Sequence, residues 1–210
     1  MGRTGGRRPA PDTGQSRARG RITRMFPPGT GAGPGDGVAA DGYEVARRIV
    51  PQRAIDDALR LLHLDLLDQG ASAERLGEWL WSLHWFPHLI WRDEITQLAA
   101  ALPEMWRTGT MCDPQILLQF PHTGPAPDVT FHVDQEPAWA GERRYSHIVG
   151  VALSPWRQDN GGLLVEAEGR AVPVELDPGD VVVMAPDLPH SGGVNLTGGV
   201  RYGVYFRWLA

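Results

Sequence analysis

Two places in the sequence put a histidine and an aspartate two residues apart: His63 with Asp65, and His132 with Asp134. Imidazole nitrogens and carboxylate oxygens both bind transition metals, so either pair could hold one ion. In a helix, residues two apart are rotated by about 200°, whereas in a strand they share a face. The first pair lies in a leucine-rich helical pattern and the second in a β-branched and aromatic run. Only His132 and Asp134 are therefore predicted to chelate one metal.

A third ligand is predicted at His190, which follows a strand-like apolar run. Two imidazoles and one carboxylate on one face of an octahedral ion leave three positions open. That arrangement suits Fe(II) when it must bind a chelating co-substrate and O₂. A histidine satisfied by hydrogen bonds in a half-buried strand is the alternative for His132 alone. The strand placement of the pair, the late His190 and an arginine beyond it, Arg201, favour the metal site.

Two further histidines are interpreted as structural, and the cysteine is given no catalytic role. His84 and His88 have helical i, i+4 spacing, but Pro87 interrupts the helix and no Glu follows His84 as a metalloprotease motif requires. Cys112 lacks a paired histidine or acid in its sequence neighbourhood, so it receives no catalytic role.

Charge and composition exclude several classes of function. The formal net charge of the chain is −5, although residues 1–37 carry seven Arg against Asp12 and Asp36, so the rest of the chain is acidic. An acidic domain has no basic surface for nucleic acid. One cysteine excludes an internal disulfide, and neither a membrane-spanning run nor the apolar part of a secretory signal is found. We expect a cytoplasmic protein that binds neither nucleic acid nor membrane.

Residues 1–37 consist mainly of Gly, Pro, Arg, Ser and Thr, with almost nothing apolar to bury. Ordering such a segment costs backbone entropy, and no burial of apolar surface offsets this cost. We therefore expect a disordered tail over 1–37 and one folded domain over 38–210. An over-extended reading frame, with Met25 as the candidate start, explains the tail most simply; a functional tail is the alternative.

The elements that must position the candidate ligands fall into two halves. In the first half, the apolar spacing and the Pro and Gly positions predict a short strand in residues 43–50 and a helix from Pro51 to Gly70. Two further helices are predicted near 72–82 and 92–102. The second half contains strand-length apolar runs separated by Gly- and Pro-containing turns, as in an antiparallel sandwich or barrel. These runs are residues 115–120, 130–134, 145–153, 163–166, 171–176, 181–184 and 200–208. The predicted fold is α+β, mainly β, with N-terminal helices packed on the β core.

Taken together, these motifs resemble the phytanoyl-CoA dioxygenase family of Fe(II)/2-oxoglutarate oxygenases over roughly residues 37–210. The resemblance rests on a set of short motifs: Asp41-Gly42-Tyr43, His132-Val133-Asp134, Asn160-Gly161-Gly162-Leu163, Pro178-Gly179-Asp180-Val181, and His190 with Asn195 and Arg201.

The resemblance implies a double-stranded β-helix, also called a jelly roll and similar to cupins. It implies that His132, Asp134 and His190 bind Fe(II) and that Arg201 grips the distal carboxylate of the co-substrate 2-oxoglutarate, with O₂ as the other co-substrate. Gln119 matches a polar position of the co-substrate pocket. Further 2-oxoglutarate contacts are expected from two other residues, Tyr145 and Thr197.

The chain departs from the family pattern in two places. The loop after the Asn-Gly-Gly turn is short, which leaves the substrate open, including any acyl-CoA. Many 2-oxoglutarate oxygenases place a serine two residues after the arginine, and this position is Gly203. Another hydroxyl or an amide must then assist Arg201. Arg207 shares the strand face but lies about 20 Å further along an extended strand, so it is expected outside the pocket of Arg201.

These interpretations predict a dioxygenase that hydroxylates an unactivated C–H bond of a small metabolite or a carrier-bound intermediate. Two alternatives remain: a cupin-like metalloenzyme that does not use 2-oxoglutarate, and a metal-free module that binds a small molecule. The first leaves Arg201 without a role, and the second leaves the three ligands without one.

Overall fold

The computed structural model describes residues 42–68, 88–122, 128–134, 144–167 and 169–209. All of them lie in one structural unit, Ala32–Ala210. The predicted tail, its boundary at residue 37 and the predicted helix near 72–82 lie outside the described residues. In the described part of the chain, no helix is both long and apolar enough to cross a membrane.

In the described residues, two α-helices and a short 3-10 helix precede most of the strands. Helix α1 spans Gln52–Asp68, α2 spans Asp93–Ala100 and the 3-10 helix spans Glu104–Trp106. Helix α1 begins directly after Pro51, where the missing N–H costs nothing. Its apolar face recurs every three or four residues and is buried at Ile55, Ala58, Leu62 and Leu66. The two predicted helices that can be compared are thus confirmed, to within a few residues at each end.

Eight strands form two antiparallel sheets in the described residues. They are β1 (Tyr43–Ala46), β2 (Thr110–Gln119), β3 (Tyr145–Ala152), β4 (Leu163–Ala167), β5 (Arg170–Val174), β6 (Val181–Met184), β7 (His190–Gly192) and β8 (Arg201–Leu209). The larger sheet has the order β1-β6-β3-β8-β2, and the smaller one has the order β5-β4-β7. The chain thus crosses between the sheets at β4, returns at β6 and crosses again at β7. This is the predicted double-stranded β-helix.

Strand alternation divides the larger sheet into two faces. One face, with residues such as Ile116, Val149, Val183 and Phe206, packs against the helices in the first core cluster. The other face packs against the smaller sheet in a second cluster that includes Ile148, Trp156, Val165, Val182 and Tyr205. Because successive side chains point to opposite faces, the odd-numbered residues from 201 to 207 of β8 face the space between the sheets. The candidate site lies in that space.

Two predictions about strands need correction. Residues 130–134 do not form a strand: His132 makes a single antiparallel bridge with His190, while the N–H of Asp134 donates to the carbonyl of Pro186 at 3.0 Å. The partner β7 is three residues long, and all three of them pair with β4 on its other side. Strand β7 itself was missed, since its sequence His-Ser-Gly carries no apolar alternation and its pairing with β4 is a long-range contact.

Candidate metal centre

The predicted ligands lie together at the edge of the smaller sheet. The bridge between His132 and His190 brings the two imidazole rings to a centroid separation of 4.5 Å. Oδ1 of Asp134 lies 3.7 Å from Nε2 of His132 and 3.8 Å from Nε2 of His190. The three ligand atoms lie within 4.8 Å of one another. Because metal–ligand bonds to such atoms are about 2 Å long, Oδ1 and either imidazole nitrogen can touch the same ion.

The hydrogen bonding of His190 prepares it to bind a metal. Its Nδ1 lies 3.0 Å from the carbonyl oxygen of Leu188, which can only accept, so the proton is on Nδ1 and the lone pair is on Nε2. Burial lowers the pKa of His190 and so favours the neutral ring. Nε2, the nitrogen that faces Asp134, is therefore available as a ligand.

The second carboxylate oxygen of Asp134 is bound by Arg207. Nε and Nη2 of Arg207 lie 2.9 Å and 2.6 Å from Oδ2, and Nη2 also donates to Oε1 of Gln115 at 3.0 Å. The expectation that Arg207 lies outside the pocket of Arg201 is therefore wrong. Both arginines line one cavity, because it runs along β8 and a long side chain bridges the remaining distance.

The cavity next to the three ligands has a volume of about 320 Å³, within the range of small-molecule sites. Its walls come from both sheets and from the segment around His132. The lining residues are Gln115, Leu117, Gln119, Thr130, His132, Asp134, Leu163, His190, Ser191, Gly192, Arg201, Tyr205 and Arg207.

Arg201 is a buried cation with unused donors. Its exposed fraction is 2 %, and its Nε and Nη1 have no hydrogen-bond partner. The guanidinium carbon lies 4.9 Å from the ring centre of Trp156, and the side chain of Tyr205 lines the same cavity as Arg201. Burial lowers the pKa of Arg201, yet a guanidinium stays protonated in proteins. Unpaired buried donors are costly, so this site fits an anionic group that accepts two parallel hydrogen bonds.

Trp156 and Tyr205 account for the glycine at position 203. A Cβ at Gly203 would lie 2.5 Å from Cζ2 of Trp156, so the indole occupies the space of the expected serine. Tyr205 is the hydroxyl that replaces it beside Arg201. Tyr205 was missed in the sequence, although its place on the Arg201 face of the strand, four residues on, is a signal that could have indicated it.

The other predicted co-substrate residues are placed unequally. Gln119 lines the cavity, and its Nε2 donates to the carbonyl of Gly193 at 2.6 Å. Tyr145 lies at the start of β3 opposite Leu209, and it is not among the residues that line this cavity. Thr197 instead donates through Oγ1 to Oδ1 of Asn195 at 2.7 Å in the loop before β8. The geometry gives no support to a co-substrate contact by Tyr145 or Thr197.

The competing pair does not converge on one point. The ring of His63 packs edge-on against Tyr202 at 5.2 Å, whereas Asp65 contacts Nε2 of His88 at 2.7 Å. Across the described ranges, the group of histidine, cysteine or acidic residues close enough to share an ion is His132, Asp134 and His190.

Comparison with known protein families gives a match over part of the chain. The sequence model of the family described as phytanoyl-CoA dioxygenase (PhyH) matches residues 165–203, which include His190 and Arg201. No curated protein matches the sequence at a significant level.

Solved structures share the fold. AviO1 from Streptomyces viridochromogenes Tue57 is 21% identical, with a TM-score of 0.51 over 81% of this chain and 90% of that chain. EctD from S. alaskensis, crystallised with 2-oxoglutarate and 5-hydroxyectoine, is 20% identical, with a TM-score of 0.58 over 81% and 72%. The epimerase SnoN, in complex with Fe³⁺, alpha ketoglutarate and nogalamycin RO, is 18% identical, with a TM-score of 0.56 over 80% and 79%.

These identities are low, so the structural matches concern the fold alone. The family match adds sequence similarity over β4 to the first residues of β8, the region that carries one candidate ligand and the buried arginine. The resemblance of this chain to the phytanoyl-CoA dioxygenase family is thereby confirmed.

Proposed function

We propose that this protein is an Fe(II)- and 2-oxoglutarate-dependent dioxygenase that hydroxylates an unactivated C–H bond of a small molecule. The observation that carries the proposal is the unpaired buried guanidinium of Arg201 in the same cavity as a His-Asp-His cluster. A metal site alone would not require that guanidinium. An organic co-substrate with a carboxylate at the far end from its metal-binding group requires both.

The protein side of the mechanism follows from the positions of the side chains. His132, Asp134 through Oδ1, and His190 would hold the iron on one side and leave its other side facing the cavity. Arg201 and Tyr205 would bind the distal carboxylate of 2-oxoglutarate, which orients its keto acid end toward the iron. Iron with 2-oxoglutarate and O₂ supplies the oxidising power for attack on a C–H bond.

The cavity also has to orient the substrate and limit the access of water. Its walls combine the apolar side chains of Leu117 and Leu163 with the polar groups of Gln115 and Thr130. Such a mixed lining suits a small organic molecule with a few polar groups. The co-crystallised molecules of two neighbours, 5-hydroxyectoine with EctD and nogalamycin RO with SnoN, are likewise small.

The two alternatives predicted from the sequence are less well supported. A cupin-like metalloenzyme that does not use 2-oxoglutarate would leave Nε and Nη1 of Arg201 buried without a partner. A metal-free binding module would have no need for the Nδ1 contact that directs the lone pair of His190 toward Asp134.

Anaerobic titration with Fe(II) and 2-oxoglutarate tests the proposal. A 2-oxo acid that chelates Fe(II) gives a weak visible charge-transfer band, and we expect this band with the full-length protein. His132→Ala and His190→Ala should abolish it, because each removes one of three ligands. Asp134→Asn is preferred to alanine, since alanine would remove the carboxylate that balances the charge of the mostly buried Arg207 and would destabilise the fold.

The control is His63→Ala, which removes the histidine of the competing His-x-Asp pair and should leave the band unchanged. Absence of the band from the wild-type protein would reject the use of 2-oxoglutarate. A full-strength band in both histidine variants would reject the ligand assignment.

A further inference from the structure

Arg207 donates two hydrogen bonds to a residue of the candidate metal centre, Asp134, yet it is not itself a candidate ligand. It lies in β8, an interior strand of the larger sheet, opposite Cys112 of β2 and Ile148 of β3. Its backbone is therefore held by two strand partners. Gln115 of β2 accepts a hydrogen bond from Nη2 at 3.0 Å and so anchors the end of the side chain as well.

The contact with Asp134 is directed at one of its two oxygens. Nε and Nη2 of Arg207 both donate to Oδ2, at 2.9 Å and 2.6 Å, while Oδ1 is the atom that faces the two imidazoles. The side chains of Arg207 and Asp134 are only 13% and 11% exposed, so water screens this pair little. The two arginine donors occupy the acceptor positions of Oδ2 that a metal ion would otherwise use.

The denticity of the carboxylate matters at this kind of centre. A carboxylate can bind a metal through one oxygen or through both. With two histidines and one oxygen, three of six octahedral positions stay open, whereas a second oxygen would take one of them. A chelating co-substrate and O₂ together need all three.

We propose that Arg207 is a positioning residue that holds Asp134 as a ligand through Oδ1 alone. This inference rests on the proposed function, because it presumes that the three ligands bind iron. Arg207 orients the carboxylate before the metal arrives and keeps Oδ2 turned away from it. Outer partners of metal ligands act in this way, and their loss commonly costs about 10- to 100-fold in metal affinity.

Lysine cannot replace this arrangement. Its ammonium is a single point donor on a flexible stem, whereas the guanidinium presents two parallel N–H groups in a rigid plane. Arg207→Lys therefore keeps the positive charge but loses the orientation. Arg207→Met removes both and retains much of the side-chain volume. Comparison of the two variants separates the effect of charge from the effect of orientation.

The test uses Mn(II) as a redox-stable probe of the metal-free, full-length protein, with free Mn(II) followed by electron paramagnetic resonance. We expect Arg207→Lys and Arg207→Met each to weaken Mn(II) binding at least tenfold. The visible spectrum of the Co(II)-loaded protein reports coordination number and should change in both variants. A role limited to fold stability would change neither measurement.

Arg47→Lys is the matched control. Arg47 also contacts a buried carboxylate at 2.6 Å, that of Asp180, but this pair lies at the turn before β6 and does not line the cavity. This variant should lower thermal stability and leave Mn(II) affinity and the Co(II) spectrum unchanged.

The outcomes separate this inference from the proposed function. Affinity and spectra like those of the wild type in both Arg207 variants would overturn the positioning role while the proposed function stands. Tighter Mn(II) binding in Arg207→Met would also overturn the positioning role. It would mean that the positive charge of Arg207 weakens metal binding in the wild-type protein. A wild-type protein that binds neither Mn(II) nor Fe(II) would reject both.

Discussion

The guanidinium of Arg201 lies over the indole ring of Trp156, with 4.9 Å between its central carbon and the ring centre. The indole is fully buried, and its Nε1 donates to the carbonyl of Tyr202 at 3.0 Å, one residue from Arg201. The tryptophan is thus tied to the same strand as the arginine. Trp156 covers one side of the cation and leaves its edge, with the unpaired Nε and Nη1, as the polar surface of the pocket.

Arg201→Lys should raise the apparent KM for 2-oxoglutarate at least tenfold, because a lysine cannot form two parallel hydrogen bonds with a carboxylate. Affinity for Fe(II) should persist, since Arg201 contacts none of the three candidate ligands. Succinate formation as a function of 2-oxoglutarate concentration measures the effect. Arg207→Lys is the variant to compare, because we expect it to lower the affinity for the metal. Loss of metal affinity in Arg201→Lys would contradict this division of roles.

Gly203→Ser should damage the pocket, although serine is the residue expected at this position in many 2-oxoglutarate oxygenases. Its Cβ would meet Cζ2 of Trp156 at 2.5 Å, and the fully buried indole cannot move aside freely. Such overpacking costs about 1–3 kcal/mol, measurable by urea unfolding. We also expect weaker 2-oxoglutarate binding.

Gly198→Ser is the control for the glycine substitution, because a Cβ at Gly198 meets nothing within 4 Å. It should retain wild-type stability. An equally stable Gly203→Ser protein with intact 2-oxoglutarate binding would show that Trp156 does not exclude the serine.

Tyr205→Phe should weaken 2-oxoglutarate binding about tenfold, because hydrogen bonds to charged groups contribute about 1.5–3 kcal/mol. Arginine can only donate, so the Tyr205 oxygen can serve Arg201 only as an acceptor, and the Tyr205 O–H remains to donate to a carboxylate bound in the cavity that both residues line. Desolvation by burial raises the pKa of Tyr205 to about 12, so this proton is retained at neutral and mildly alkaline pH. The loss should therefore be the same at pH 7 and pH 9, as measured by 2-oxoglutarate titration. A loss confined to one pH would argue against a permanently protonated donor.

His147 should make stability depend on pH away from the candidate site. Its ring is buried and stacks on Trp208 at 5.3 Å, and Nε2 donates to the carbonyl of Trp106 at 3.0 Å. Burial lowers the pKa of His147, so the unfolded chain binds a proton more readily than the folded one. The contribution of neutral His147 to the free energy of unfolding is fully present above the unfolded-state pKa of about 6.5. It is lost as the pH falls toward the lower folded-state pKa.

Urea unfolding at pH 7.5 and pH 5.5 tests the role of His147. The wild type should lose more unfolding free energy between these values than His147→Phe, which cannot titrate. At pH 7.5 His147→Phe should itself be less stable by about 1–3 kcal/mol, because the carbonyl of Trp106 loses its partner. Identical losses in both proteins would remove His147 as the source of the pH dependence.

Local patterns in the sequence were sufficient for the candidate ligands and for most elements. The alternation around His132 and Asp134 placed both side chains on one side of the chain, and that relation survives although the segment makes only one bridge. The apolar spacing in α1 predicted its buried face, and Val181–Met184 was predicted with its observed ends. Such patterns are local, because the period of side-chain direction is a property of the backbone conformation itself.

Only the tertiary structure decided which residues meet across the sheets. Arg207 binds Asp134 across 73 positions of sequence, and Trp156 reaches the Tyr202 carbonyl beside Arg201 across 46. The distance along β8 between Arg201 and Arg207 predicted that the two arginines lie in different pockets. It could not predict which side chains each arginine contacts between the sheets. Those partners depend on strand order and register, which result from the packing of the whole core and leave no periodic trace in any single segment.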